Sequence, residues 1–442
     1  MLSFLILFLF ISFIAWVVLG GKTKLLSSDL FWLILIWSFC FSLYFSIEKI
    51  FINRLSKQCF AYLIAAFIIY ILFRFLGKAF YNQKKKSKFF KPLNNFEKNE
   101  EIHINTKTYA WISIFATLVY SVDRYISSNG VLFERSMSVS ILGTIASFFM
   151  GIAFIIPIYE IGYSIKNQKK IPLEAFLCMV CWSLSSIMTS GRQELIYLAI
   201  AIVASASWAL STGKQVNFWK MFKHNRILKK IKIPFFLICG LIFGYLLYLS
   251  ANRYDDFYSG NSLMFLLGAD FPADVNSIAK SMGVLGYLGK NILAYFSHQV
   301  SVFQIIFDNF SGPYMNGMYQ LNYIARRIGV DYTIIDTQHK AMVTVAGNPG
   351  FSSAWPTAFG TMIYDFGKIG ALIEIAILAF LIGYFFQKRK VVSNSISNVL
   401  PSIACVFAFS TVMVGLTYYS TYHFAILWYF FIFFRKEKRQ RG

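Results

Sequence analysis

Long apolar runs separated by short polar stretches repeat along most of the chain. A bilayer core about 30 Å thick is crossed by a helix of about 20 mostly apolar residues. Runs of roughly that kind fall at 1–20, 29–47, 59–77, 109–121, 138–160, 172–190, 193–211, 233–250, 363–386, 398–416 and 420–434, the fourth and eleventh being short. Eleven crossings predict an all-α polytopic membrane protein with its termini on opposite sides. The pattern changes between the eighth and ninth runs, where 251–362 mixes Arg, Asp, His, Asn, Tyr and Trp with apolar stretches. A loop of that length without folded parts of its own would be unusual and is normally functional. Within it Phe296, Val300, Phe303 and Phe307 recur at helical spacing. They predict a helix that lies along the membrane surface or packs on the bundle, with His298 carried to another face. The expected organisation is therefore eight spans in 1–250 with basic loops at 78–108 and 212–232, an extracytoplasmic capping subdomain over 251–362, and three spans with a basic tail in 363–442. No fixed-period repeat is evident, and inverted halves of the kind many transporters carry are not visible. The Lys-, Asn- and Glu-rich stretch 82–106 reads as a solvated linker.

Composition agrees with lipid as the main solvent: 57% of residues are hydrophobic and 14% charged, too little polar surface to cover a soluble globule of 442 residues. A net charge of +22 raises nucleic acid as a partner, and the positions of the charges argue against it. Of the 42 Lys and Arg, 29 fall in 21–28, 74–108, 161–171, 212–232, 387–397 and 435–442, all on one side of an eleven-span chain. Positive residues stay inside, so the N-terminus is expected outside and the RKEKRQRG tail in the cytoplasm. Clusters such as 84–91 and 223–232 are then topology anchors beside anionic lipid. The first twenty residues lack the positive start of a signal peptide and read as a retained helix. All six cysteines lie in apolar runs. Cys178-Met-Val-Cys181 has the spacing of a redox or zinc half-site, but with no His or second pair nearby it reads as core packing. No His, Cys, Asp and Glu spacing fits a metal ligand set, and no Gly-rich phosphate loop marks a nucleotide, so no metal and no cofactor is expected.

Ionisable groups at membrane depth are costly and usually mark function or buried pairs. Thr189-Ser-Gly-Arg-Gln-Glu194 is a turn so tight that the flanking helices must be antiparallel neighbours, with Arg192 at the outer face. Its guanidinium can grip a phosphate in bidentate fashion, or it can snorkel and pair with Glu194. Phe351 to Gly370 leads from the outer loop into the ninth span. Asp365 and Lys368 are three apart, neighbours on a helix that can neutralise each other. Gly360, Gly367 and Gly370 permit close helix approach or a broken helix, and Glu374, lying deeper, must face protein or water. Further outer candidates are Arg253, Asp255, Arg326, Arg327 and His339. Arg253 is expected at the depth of Arg192, and the two together would make an anion site suited to a lipid-linked pyrophosphate. His298 has the chemistry of a general base, although a lone His is more often structural. Trp355, Tyr254, Tyr314 and Tyr323 suit sugar faces or an interfacial belt.

Three features carry a family resemblance: the Ser190-Gly-Arg192 turn opening a mid-chain helix, the large outer loop before the last three spans, and Pro356-Thr-Ala-Phe-Gly followed by Tyr364-Asp-Phe-Gly-Lys-Ile-Gly370. In these the chain resembles the bacterial oligosaccharide repeat unit polymerases, the Wzy-type O-antigen or capsule polymerases. The resemblance implies a glycosyltransferase in the bacterial cytoplasmic membrane, with an undecaprenyl-pyrophosphate-linked glycan as donor and a lipid-linked repeat unit as acceptor. Arg192 and Arg253, with Arg326 and Arg327, would hold the pyrophosphate, and His298 or Asp255 would deprotonate the acceptor hydroxyl. Glu194, Trp355, Asp365 and Lys368 would line the cavity. A chain-length regulator and a flippase would be its protein partners. An O-antigen ligase, which uses the same donor, and a lipid-linked oligosaccharide flippase or other transporter remain alternative readings.

Overall fold

The computed structural model describes residues 23–48, 51, 54–86, 103–127, 140–188, 192–212, 277, 280–321, 325, 328–331, 333–346, 356–392, 394–412 and 420–434. Their regular elements are all helical: α1 (Asp29–Ser46), α2 (Lys57–Lys86), α3 (Lys107–Ser127), α4 (Ile141–Lys166), α5 (Leu173–Met188), α6 (Arg192–Thr212), α7 (Gly283–Asn309), α8 (Thr333–Ala346), α9 (Ala358–Val392), α10 (Ser395–Ser410) and α11 (Ser420–Tyr429). Five are long and apolar enough to cross a membrane: α1, α2 over Lys57–Lys84, α4, α6 over Gln193–Thr212, and α9. Shorter apolar helices occupy Leu173–Ser186, Ser395–Ser410 and Tyr422–Phe433. The expected spans at 1–20 and 233–250 lie outside the described residues. Large apolar side chains such as Phe115, Ile141 and Ile369 point outward from these helices, as lipid-facing positions do. At the centre is α4, buried through most of its length from Gly143 to Ser164 and packed by α3, α5, α6, α10 and α11. Its start is fixed by Ser140, whose hydroxyl accepts the Gly143 N–H at 3.1 Å and donates to Asp123. Cys178 is buried against the Ser113 hydroxyl as an ordinary core residue.

Helices in a bilayer have little hydrophobic drive toward one another and associate through close packing and hydrogen bonds. Both are found at one end of the bundle. Arg74 of α2 grips both oxygens of Asp29 at the start of α1, and the Tyr70 hydroxyl donates to the same carboxylate at 2.7 Å. Arg389, late in α9, donates to Ser27 O and to Asn398 Oδ1 at the start of α10. Asn398 Nδ2 donates to Ser205 of α6, whose hydroxyl donates to Ile158 O of α4. Thr106, just before α3, and His103 bond Glu160, late in α4, and Lys107 pairs with Glu174 at the start of α5. The starts of α1, α3, α5 and α10 therefore meet the late turns of α2, α4, α6 and α9, and Arg74, Lys78, Lys84, Lys166, Lys388, Arg389 and Lys390 on those turns make this the basic end. Two glycine contacts draw α2 and α9 together. A Cβ on Gly77 would lie 2.0 Å from Phe380 O, and one on Gly383 2.0 Å from Arg74 O.

The helix expected in the outer segment exists as α7, and it is not a surface helix. Phe296 packs edge-on against Phe39 in the middle of α1, Phe303 and Phe307 flank Tyr62, and Gln304 Oε1 accepts the Ser56 N–H at 2.8 Å. The Phe–Val stripe faces the bundle, but the opposite face is not left to solvent, because Ser297, His298, Gln299 and Ser301 are buried as well.

Candidate functional site

The stretch from Pro356 to Gly370 opens a long helix that is broken within it. Thr357 caps a short first piece of α9, its hydroxyl accepting the Gly360 N–H at 3.0 Å, while Ala358 N donates to Thr411 O. Phe359 stacks on Trp37 and meets Phe67, both midway along their helices. Ile306 lies against Gly360 and Phe310 against Tyr364, so this piece runs beside the end of α7, away from the basic end. The helix breaks at Gly367, whose φ of 68° and ψ of 179° belong to a region only glycine occupies readily. Immediately beyond, Lys368 O accepts the Tyr62 hydroxyl near the start of α2. From there α9 runs parallel to α2, past Arg74 and Gly383, to Asn82 and Gln387. The chain thus rises from the interior, turns at Gly367 and returns to the basic end.

A polar cluster is gathered under this turn. Asp365, fully buried, accepts the backbone N–H groups of Tyr319 and Gln320 at 2.9 and 3.0 Å. Met315 N and Asn316 N bond the carbonyls of Tyr364 and Asp365, so the segment 315–320 is strapped to the break. The expected Asp365–Lys368 neutralisation does not occur. Gly367 interrupts the helical register that would have set them side by side; Lys368 is exposed, its Nζ 4.2 Å from the centre of the Phe307 ring. Glu374 is half-buried and both its oxygens accept from Gln320 Nε2, at 2.9 and 3.0 Å. Next to Asp365, the buried Tyr364 hydroxyl lies 2.5 Å from His339 Nδ1 on α8. One turn earlier on α8, Asp336 accepts the Tyr319 hydroxyl at 3.1 Å. Acid, base and phenol groups are thus held in fixed positions by two separate helices and a strapped turn.

His298 sits within the bundle on α7, its Nε2 3.3 Å from Gln299 Nε2, and Gln299 Oε1 is buried without a hydrogen-bond partner. Glu194 takes the Ser186 hydroxyl at 3.0 Å, its carbonyl takes the Trp182 indole N–H, and Arg124 of α3 acts on it electrostatically. These contacts make α5 and α6 the antiparallel neighbours that the tight turn requires. Arg192 opens α6, but its side chain lies outside what the structure describes. Arg253, Asp255, Arg326, Arg327 and Trp355 lie outside the described residues. Among the described residues no group of three or more His, Cys, Asp and Glu side chains is placed to hold a metal ion.

No protein-family model, curated protein or solved structure matches the chain. The site is therefore read on its own residues. Sequence reasoning marked Asp365, Glu374 and His339 but missed Tyr319, Gln320, Asp336 and Arg124. Asp336 and His339 carry a legible signal, an i, i+3 spacing on one helix face. Tyr319 and Gln320 carry none, since their partner lies some 45 residues along the chain.

Proposed function

We propose that this chain is a membrane glycosyltransferase that polymerises oligosaccharide repeat units carried on undecaprenyl pyrophosphate. In this reading it lies in a bacterial cytoplasmic membrane, the basic end in the cytoplasm and the Gly367 turn at the outer face. The observation that carries the reading is that residues 356–370, one of the three features that carry the family resemblance, form the broken helix and hold the buried polar cluster opposite the basic end. The reaction joins an acceptor hydroxyl oxygen to the anomeric carbon of the donor glycan, breaks that carbon's bond to the pyrophosphate oxygen, and releases undecaprenyl pyrophosphate. The proton passes to His298 or Asp255, or to His339, whose Nδ1 lies 2.5 Å from the Tyr364 hydroxyl. Arg192, Arg253, Arg326 and Arg327 offset the charge that builds on the leaving group.

A broken helix over a buried polar cluster also favours a second reading, since transporters build substrate sites from broken helices. One experiment separates them. The gene is deleted, then restored as wild type or Arg192→Ala, and surface glycan and lipid-linked pools are run on gels. Polymerisation predicts single repeat units after deletion, a ladder restored by wild type, and none restored by Arg192→Ala. Full-length polymer accumulating on undecaprenyl pyrophosphate would identify a ligase, and repeat units trapped on the cytoplasmic leaflet a flippase.

A further inference from the structure

Around α2 and the end of α9 the basic end holds more buried positive charge than it neutralises. Arg74 and Arg389 flank one aromatic ring, their guanidinium carbons 4.8 and 4.4 Å from the centre of Phe386, which sets those carbons no more than about 9 Å apart. Asp29 is the only carboxylate among the described residues of 23–29, 70–86 and 384–398. Its oxygens are already taken by Arg74 and Tyr70. Arg389 is 8% exposed and donates only to neutral oxygens, Ser27 O and Asn398 Oδ1. Its place in the last turn of α9 gives it the helix's negative end, worth about half a charge. Buried charges are ordinarily paired. Half-buried Lys78, one turn beyond Arg74, and exposed Lys390 continue the cationic series from this pair to the surface. On the same two helices Phe73, Leu76, Phe80, Ile377 and Leu381 are exposed. They are suited to acyl chains.

We propose that the α2–α9 pair binds the phosphate of an anionic phospholipid at the basic end, with Lys78 and Lys390 receiving the headgroup and Arg389 completing its charge balance. This site is independent of the reaction proposed above. The test uses the full-length protein purified in neutral detergent. Thermal unfolding and lipid adducts in native mass spectrometry are followed after adding phosphatidylglycerol, phosphatidylcholine or inorganic phosphate. Phosphatidylglycerol alone is expected to raise the unfolding temperature and to survive as a bound adduct. The Lys78→Gln/Lys390→Gln variant, changed only at exposed or half-exposed positions, should fold and bind phosphatidylglycerol about thirtyfold more weakly, two lysines' share of attraction to anionic lipid. Equal stabilisation by phosphatidylcholine, an effect of inorganic phosphate as large as that of the lipid, or undiminished binding by the double variant would each overturn the proposal.

Discussion

Two backbone N–H groups, those of Tyr319 and Gln320, satisfy the Asp365 carboxylate, and no cation is needed to account for its burial. Hydrogen bonds to a charged acceptor contribute about 1.5–3 kcal/mol, and leaving buried N–H donors unsatisfied costs a similar amount. Asp365→Asn places an amide N–H where a second acceptor is needed and should destabilise the protein by about 2 kcal/mol. Lys368→Ala removes only an exposed contact with the Phe307 ring and should cost about 1 kcal/mol or less. Thermal unfolding in detergent separates the two, and equal losses would restore the ion pair expected from sequence. That pair was a reasonable reading of a three-residue spacing. What the spacing lacks is the conformation of Gly367, because glycine in a sequence is compatible with continuing a helix or breaking it.

The backbones of α2 and α9 approach closely at Gly77 and Gly383, and the approach depends on the absence of two β-carbons. Gly383→Leu must push α9 off the Arg74 carbonyl and should cost about 1–3 kcal/mol or more, as overpacking does. Gly367→Ala forces an L-residue into glycine's region and against the Tyr314 ring, 3.1 Å from the new Cβ, at about 1–3 kcal/mol. Both losses should appear as lowered midpoints in a fluorescence thermal shift, with Gly289→Ala, which meets nothing within 4 Å, as the unaffected control. Hydropathy located α1, α2, α4, α6 and most of α9, because lipid-facing helices are apolar on nearly every side. It marked no span at α7, a helix that the spacing of Phe296, Val300, Phe303 and Phe307 predicts instead. That helix is shielded by protein and carries His298, Gln299 and Gln304 inside, so its mean hydropathy does not declare its burial.

At the scale of the whole molecule the described basic residues of the late helix turns gather at one end, and the broken helix turns at the other. With the basic end cytoplasmic, Ser311→Cys should react with a membrane-impermeant maleimide on intact cells, and Gln83→Cys only after permeabilisation, both in a Cys181→Ser background; both positions are exposed. Labelling in the reverse order would invert the proposed sidedness. The sequence exposed the apolar frame and the charge bias, but not the site, whose members meet only once distant segments fold together. The Trp37 indole bonds Thr411 across 374 residues, and Asn82 bonds Gln387 across 305. That pairing of early with late helices bears on synthesis. When α1 and α2 leave the ribosome, the faces that α9 and α10 will cover have no partner, and Asp29 and Arg74 have only each other. Those faces stay uncovered until the last fifth of the chain, which carries α9 and α10, is made. A chain that stops before α9 should be cleared by membrane proteases rather than persist as a partial bundle.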